Sequence, residues 1–292
     1  MIVGVYNISG IILEFTPLFS DYFALRLSHF TTSELTQPAR VMKTRILPIE
    51  SIPQDTPYFS HLSKVMFREG NRNVLYLYSD ASRSQLMQKI TYDQDYKEVD
   101  IIMSPDYKDR LPEIEYLTTA MFFFEMAIRE GKYPLHGSAI NYHGEAIIFS
   151  APSGIGKSTH ASLWMTYLEG VIPINDDKPI LSFIGDKLYA SGTPWSGKTD
   201  LTNNLNLPVK AIVFLSQGRD PKILSMSSSE KIVALLKNGF RSREENTQDT
   251  VLRFIHQILS TNVDITGYET NVSASAFKTI YDFLYQEDVN ED

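Results

Sequence analysis

Glu145 to Trp164 reads EAIIFSAPSGIGKSTHASLW. The apolar run Ala146-Ile147-Ile148-Phe149 suits a buried strand. Ser150 to Gly156 follows as a loop of small residues, then Lys157-Ser158-Thr159 and a segment with helical spacing through Ala161, Leu163 and Trp164. Strand, glycine loop, lysine, hydroxyl and helix form a P-loop arrangement. The order has a physical purpose. Gly154 and Gly156 let the backbone come close to a polyphosphate and turn its N–H groups inward as an anion nest. The following helix points its positive end at the same anion. Lys157 adds a mobile charge, and the Ser158 hydroxyl suits Mg²⁺, a hard ion that prefers oxygen. Ala151 stands where the usual G-x-x-x-x-G-K-[ST] pattern begins with glycine, a small departure if its φ stays negative.

The chain of 292 residues is long enough for one or two domains with a substantial core. Hydrophobic residues at 43% and charged residues at 21% are ordinary for a globular protein. The net charge of −8 argues against a general nucleic-acid binder. Cysteine is absent, which excludes disulfides, a thiol nucleophile and a thiolate metal site and makes a reducing cytoplasmic home the simplest expectation. The opening residues MIVGVYNISGIILEF lack a basic segment and a cleavage site, and the run is too interrupted to span a membrane, so no membrane association is expected.

Taken in order, residues 2–15 read as two short strands around Asn7-Ile8-Ser9-Gly10. Val41 to Leu47 and Asn73 to Tyr78 read as further strands. Residues 20–45 carry polar stretches, and Ser84 to Ile101 mixes charge with scattered apolar residues without a clear element. This β-rich first part, 1–110, is expected to be an accessory lobe. Leu111 to Arg129 places Ile114, Leu117, Ala120, Met121, Phe124 and Ile128 on one helical face. A second domain, 111–292, is expected to begin there and to carry the nucleotide site.

Leu135 to Ile140 and the strand at Ala146 read as a hairpin with His136 at its start. On residue type alone, His136 is as well explained by a carbonyl-bonded structural histidine as by a site residue. Val171 to Ile174 is another apolar run and ends in Asn175-Asp176-Asp177-Lys178. Two acids at a strand end, one helix and one strand beyond Lys157, suit a Walker-B-like role. One carboxylate can hold Mg²⁺ directly or through water, and the other can take the proton of an attacking hydroxyl. A solvated turn is the alternative. In Ser191 to Thr199, Trp195 is a candidate to shield the site and Lys198 a candidate to reach phosphate or an acidic substrate. Arg241 and Arg243 suit a solvated loop better than a nucleotide contact. Ser229 to Leu236, Gln248 to Leu259 and 274–285 read as helices, and Leu207 to Leu215 as a buried strand.

The order His136-Gly137, then S-A-P-S-G-I-G-K-S, then Asp176-Asp177 after an apolar strand resembles the catalytic domain of HPr kinase/phosphorylase, whose core is shared with phosphoenolpyruvate carboxykinases. The resemblance covers roughly Leu135 to Leu215. It implies an α/β fold with a mixed sheet around the P-loop, ATP bound by Gly154 to Ser158 with Ser158 also on Mg²⁺, and metal and general-base roles shared by Asp176 and Asp177. The expected nucleotide contacts in full are Ser153, Gly154, Ile155, Gly156, Lys157, Ser158 and Thr159. It places His136 beside the acids. Thr159 stands where that family usually has an acidic residue, and Gly192 to Lys198 replaces its acidic metal-site segment. The chain is also similar to small HPr-kinase-like proteins that accompany peptide modification, lasso peptide kinases among them. The expected activity is transfer of the ATP γ-phosphoryl group to a serine or related hydroxyl of a peptide or protein, with Asp177 as base and Asp176 on Mg²⁺, directly or through water, or with the two roles exchanged. A metabolite kinase, a carboxykinase-like enzyme and a non-catalytic ATP sensor remain alternatives. The sequence leaves open whether the chain forms a homo-oligomer.

Overall fold

The computed structural model describes residues 4–34, 37–50, 52–242 and 247–285. The chain forms two compact units, divided between Met126 and Ala127. Among the described residues no helix is long and apolar enough to cross a membrane.

The first unit holds β1 (Gly4–Ile8), β2 (Ile11–Thr16), α1 (Ser20–Ser28), β3 (Arg40–Ile46), β4 (Phe59–His61), β5 (Lys64–Glu69), β6 (Arg72–Tyr78), β7 (Leu86–Asp93) and β8 (Glu98–Met103). The strands make one sheet in the order β1-β2-β3-β8-β7-β6-β5-β4. It is mixed: β2–β3 and β3–β8 are parallel and the other pairs antiparallel.

The polar-looking 20–45 stretch contains α1, which buries Phe23, Arg26 and Leu27. The Arg26 guanidinium interrupts the apolar stripe that would have revealed the helix. It is accommodated over the rings of Tyr22 and Tyr116, at 4.7 and 4.5 Å. The unassigned 84–101 stretch is the hairpin β7–β8. Its Asp93 carboxylate accepts from the N–H groups of Asp95 and Glu98 and shapes the turn. Buried Gln88 breaks the alternation of β7 and pairs with Thr118 at 2.9 Å.

The helix expected over 111–129 is α2 (Leu111–Arg129), and its residues up to Met126 belong to the first unit. The division thus falls near the end of α2 rather than at its start, where the change in pattern sets it. Buried side-chain bonds account for the difference. The Glu115 carboxylate accepts from the backbone N–H groups of Leu18 (2.8 Å) and Phe19 (3.1 Å) and from the Thr44 hydroxyl. Burial pushes the Glu115 carboxyl above its ordinary value, and these hydrogen bonds pull the other way.

The second unit holds β9 (Tyr133–Pro134), β10 (Gly137–Tyr142), β11 (Glu145–Ser150), α3 (Lys157–Tyr167), β12 (Ile172–Asn175), β13 (Ile180–Ile184), β14 (Lys187–Ser191), β15 (Asn206–Gln217), β16 (Lys222–Leu224), α4 (Ser228–Asn238), α5 (Gln248–Leu259), β17 (Asp264–Thr270) and α6 (Ala274–Tyr285). Its mixed sheet runs β12-β10-β11-β15-β14-β13-β9, with β17 also beside β15 and β16 beside β17. The unbroken apolar run of β11 follows from burial on both faces. Ala146 and Ile148 pack with Leu235, Phe254 and Ile258 of α4 and α5. Ile147 and Phe149 pack with Trp164, Ile280 and Leu284 of α3 and α6.

Trp164 is fully buried and anchors this second face. Its ring meets Phe277 at 5.6 Å, Tyr142 at 5.9 Å and Tyr281 at 6.0 Å. Trp164→Ala is expected to cost about 3–5 kcal/mol, the range for a large aromatic removed from a packed core. Urea unfolding would measure it.

Candidate functional site

Sheet polarity gathers the site. β11, β15 and β17 run parallel. β12 is antiparallel to β10, which is antiparallel to β11, so β12 runs in the sense of β11. Four strands therefore present their carboxyl ends along one edge, where open α/β sheets bind ligands.

At the end of β11 the chain leaves Ser150 and turns through residues 151–156. Gly154 has φ +84° and Gly156 φ +112°. Gly156 caps α3 in that conformation, so a side-chain-bearing residue there would be strained. The Lys157 side chain, 9% exposed, folds back over the loop and donates to the carbonyls of Ala151 (3.0 Å) and Pro152 (3.2 Å). Burial pulls the Lys157 ammonium below its ordinary value; the nearby Asp177 and Asp176 carboxylates act against that shift, and the Lys178 charge adds to it. Ser153, Ser158 and Thr159 are exposed around the same loop, and Ile155 is half-buried.

At the end of β12, Asn175 shapes the turn that displays the acids. Its Oδ1 accepts from the N–H groups of Asp177 (3.0 Å) and Lys178 (2.7 Å), while its Nδ2 donates to the Thr193 carbonyl at 2.9 Å. The residue is fully buried. Asn175→Ala should leave these groups without a partner and lower stability by about 1–3 kcal/mol. Chemical denaturation would report the loss. Sequence reading named Asn175 within the acidic turn but gave it no role; an amide directly before two acids was the available signal.

The two acids have different surroundings. Asp177 is clamped on both oxygens, by His136 Nδ1 at 3.1 Å and by Lys178 Nζ at 2.8 Å. An ionised carboxylate only accepts, so Nδ1 carries the proton. The Asp177 carbonyl also accepts from the Gly137 N–H at 2.9 Å, which ties the turn to β10. Burial alone would raise the Asp177 carboxyl, but the hydrogen bond from His136 and the Lys178 charge outweigh it and hold the group below its ordinary range. Asp176 is 8% exposed; its Oδ2 accepts from the Thr199 hydroxyl at 2.7 Å, and its Oδ1 is buried without a hydrogen-bond partner among the described residues. An orphaned buried carboxylate oxygen costs several kcal/mol unless something meets it. A hard cation would do so, and the exposed Ser158 hydroxyl at the neighbouring loop supplies the second oxygen of a suitable donor type.

The structure thus brings together the 153–159 loop, Lys157, His136, Asp176 and Asp177. The two loop candidates differ from these. Trp195 is 1% exposed, so its ring is enclosed by protein rather than open to a ligand. Lys198 is exposed. Gly197, between them, is tightly placed: a Cβ there would lie 3.2 Å from the Asp177 Cβ. Arg241 is exposed, and Arg243 lies outside the described residues.

Two cavities flank the edge. One, of about 550 Å³, lies between the 150–152 segment and α4 and reaches His136. The other, of about 270 Å³, lies over the ends of β15 and β17 beside Gly156, Thr159 and Asn271. His160 backs this second cavity, its ring edge-on to Phe149 at 4.7 Å. Burial pulls its pKa down to about 4. The folded state therefore refuses a proton that the unfolded chain accepts below about pH 6.5. The linkage sign follows: stability is full above that pH and falls as pH drops toward 4. The loss is on the order of 3 kcal/mol for a shift of this size. His160→Phe should flatten that part of the stability–pH curve in thermal unfolding between pH 4 and 7.

No protein-family model matches the sequence, and no curated protein matches it. Among solved structures the chain is similar to the Hpr(Ser) kinase/phosphatase from Coxiella burnetii, at 11% sequence identity and a TM-score of 0.32, over 53% of this chain and 90% of that one.

Proposed function

We propose that this chain is an ATP- and Mg²⁺-dependent kinase that transfers the γ-phosphoryl group to a serine or similar hydroxyl of a peptide or protein. One observation carries the reading. A glycine loop with a buried lysine shares a sheet edge with two unlike acids, Asp177 held by His136 and Lys178, and Asp176 with a buried oxygen left over.

Backbone N–H groups of the 153–159 loop and the start of α3 bind the phosphates, and Lys157 exchanges its two carbonyl partners for phosphate oxygens. The Ser158 hydroxyl and Asp176 Oδ1 are the residues that would hold Mg²⁺, which when bound offsets phosphate charge. The nucleoside extends toward the 270 Å³ cavity beside Gly156 and Thr159. Asp177 accepts the proton of the acceptor hydroxyl. Each of its oxygens keeps a second lone pair for that purpose despite the His136 and Lys178 bonds. The acceptor oxygen forms a bond to the γ-phosphorus as the bond to the β,γ-bridging oxygen breaks, and ADP leaves with the electron pair. His136 fixes the Asp177 rotamer at 3.1 Å, so the base is aimed before substrate arrives. Positioning and electrostatics supply most of the acceleration, since phosphoryl transfer asks little covalent chemistry of a protein.

Incubation with [γ-³²P]ATP, Mg²⁺ and serine-containing peptides should place label on peptide. ATP consumption driven by free serine or oxaloacetate, with peptides unlabelled, would replace this reading with a metabolite enzyme. Tight ATP binding with neither transfer nor hydrolysis would make the chain a nucleotide sensor.

A further inference from the structure

The 550 Å³ cavity has a use that the phosphate-donor groups do not explain. Its walls are Pro152, Phe214, Leu215, Val233 and Ala234, with Lys237 in the lining and His136 at one side. Two backbone bonds and one side-chain bond fix the α4 wall against the catalytic side. His136 N–H donates to the Asn238 carbonyl at 2.8 Å and Phe240 N–H to Pro134 at 2.9 Å. The Tyr133 hydroxyl donates to the Leu235 carbonyl at 2.8 Å. The ring of Tyr133 also requires the glycine at 239, since a Cβ there would lie 1.7 Å from its oxygen. The cavity is therefore a formed space held in register with the His136–Asp177 pair.

We propose that this cavity binds the acceptor, and that the acceptor is a peptide segment carrying a bulky apolar side chain and an acidic group next to the phosphorylated hydroxyl. The inference rests on the kinase reading above and deepens it. Two features select the occupant. The volume lies in the roughly 300–1,000 Å³ range of pockets that enclose whole organic ligands, far more than a serine side chain fills. Its walls are mainly apolar, so the neighbour of the hydroxyl supplies apolar surface. The charges in the lining are separated as well. Glu230 is engaged by the Ser227 N–H at 2.8 Å and hydroxyl at 2.7 Å in the cap at the start of α4, whereas Lys237 sits exposed on the last turn, beside Asn238, whose carbonyl accepts from His136. An acidic group on the acceptor complements Lys237.

The test uses the full chain with [γ-³²P]ATP and two synthetic peptide pools, one with serine beside Leu or Phe and Glu, the other with Gly in place of Leu or Phe. The expected result is a preference for the apolar pool of roughly 10- to 200-fold in kcat/KM. Val233→Trp fills the cavity from a helix position that is 46% exposed, and it should erase the preference. Lys237→Glu should shift the preference from acidic to basic neighbours. It serves as the second variant if the tryptophan disturbs folding, which thermal unfolding would reveal. Equal transfer to both pools overturns the assignment of the cavity, as does a preference that survives Val233→Trp, or labelling of free serine but of neither pool. Failure of the wild-type chain to bind ATP at all would instead remove the kinase reading beneath it.

Discussion

Asp177→Asn is expected to bind ATP about as well as the wild type and to transfer phosphate roughly 100- to 10,000-fold more slowly, the span attributed to a positioned general base. The amide is isosteric and keeps an oxygen for the His136 Nδ1–H or for Lys178, whose bonds to the carboxylate measure 3.1 and 2.8 Å. The turn also keeps its shape, because it is fixed by Asn175 Oδ1 rather than by the Asp177 side chain. What the variant loses is proton affinity. The carboxylate lies below its ordinary range, so it stays ionised through neutral pH and falling pH disarms it only well into acid. Its ion pair adds to stability above the ordinary carboxylate range, and that contribution is lost as pH falls through the lowered folded value. Full transfer activity in Asp177→Asn, by initial rates with saturating ATP, would show that another group takes the proton.

Lys157→Ala is expected to lower kcat roughly 100- to 1,000-fold, the cost of removing one preorganised electrostatic contact to a developing charge, and to weaken ATP binding as well. Stability should change little. Among the described residues the ammonium donates only to the carbonyls of Ala151 and Pro152 at the start of the loop, and its burial opposes its charge. Lys157→Arg should not restore the rate, since a planar fork does not reproduce a compact charge inside a tight loop. Steady-state kinetics on Lys157→Ala, alongside a denaturation curve, separates the catalytic loss from a folding loss. Unchanged kcat would remove Lys157 from the site.

The core of the second unit was legible because its strands are covered on both faces. The run Ala146 to Phe149 therefore reads as apolar without alternation, and positive-φ glycines punctuate the turn after it. The acids were legible for a local reason too, since Asp176 and Asp177 follow an apolar strand directly. Other features depend on partners distant in sequence. The helix α1 was hidden by Arg26, whose burial makes sense only with Tyr116 stacked on it. The strand β7 was hidden by Gln88, which is satisfied by Thr118 of α2. For Trp195, residue type alone does not tell a packed indole from one that covers a site, and at 1% exposure it is packed. The apolar cavity joins His136 to Val233 and Lys237 across about a hundred residues, and no local pattern announces it. The difference between the two acids was likewise invisible. It arises from His136, Lys178 and Thr199 converging on adjacent residues in space.

A crystal structure with Mg²⁺ and a non-hydrolysable ATP analogue tests the central claim most directly. The expected result places the triphosphate on the 153–159 loop, with Asp176 Oδ1 on the metal and Asp177 facing the terminal phosphate. A triphosphate bound elsewhere, or one on the loop with both carboxylates turned away from it, would contradict the claim.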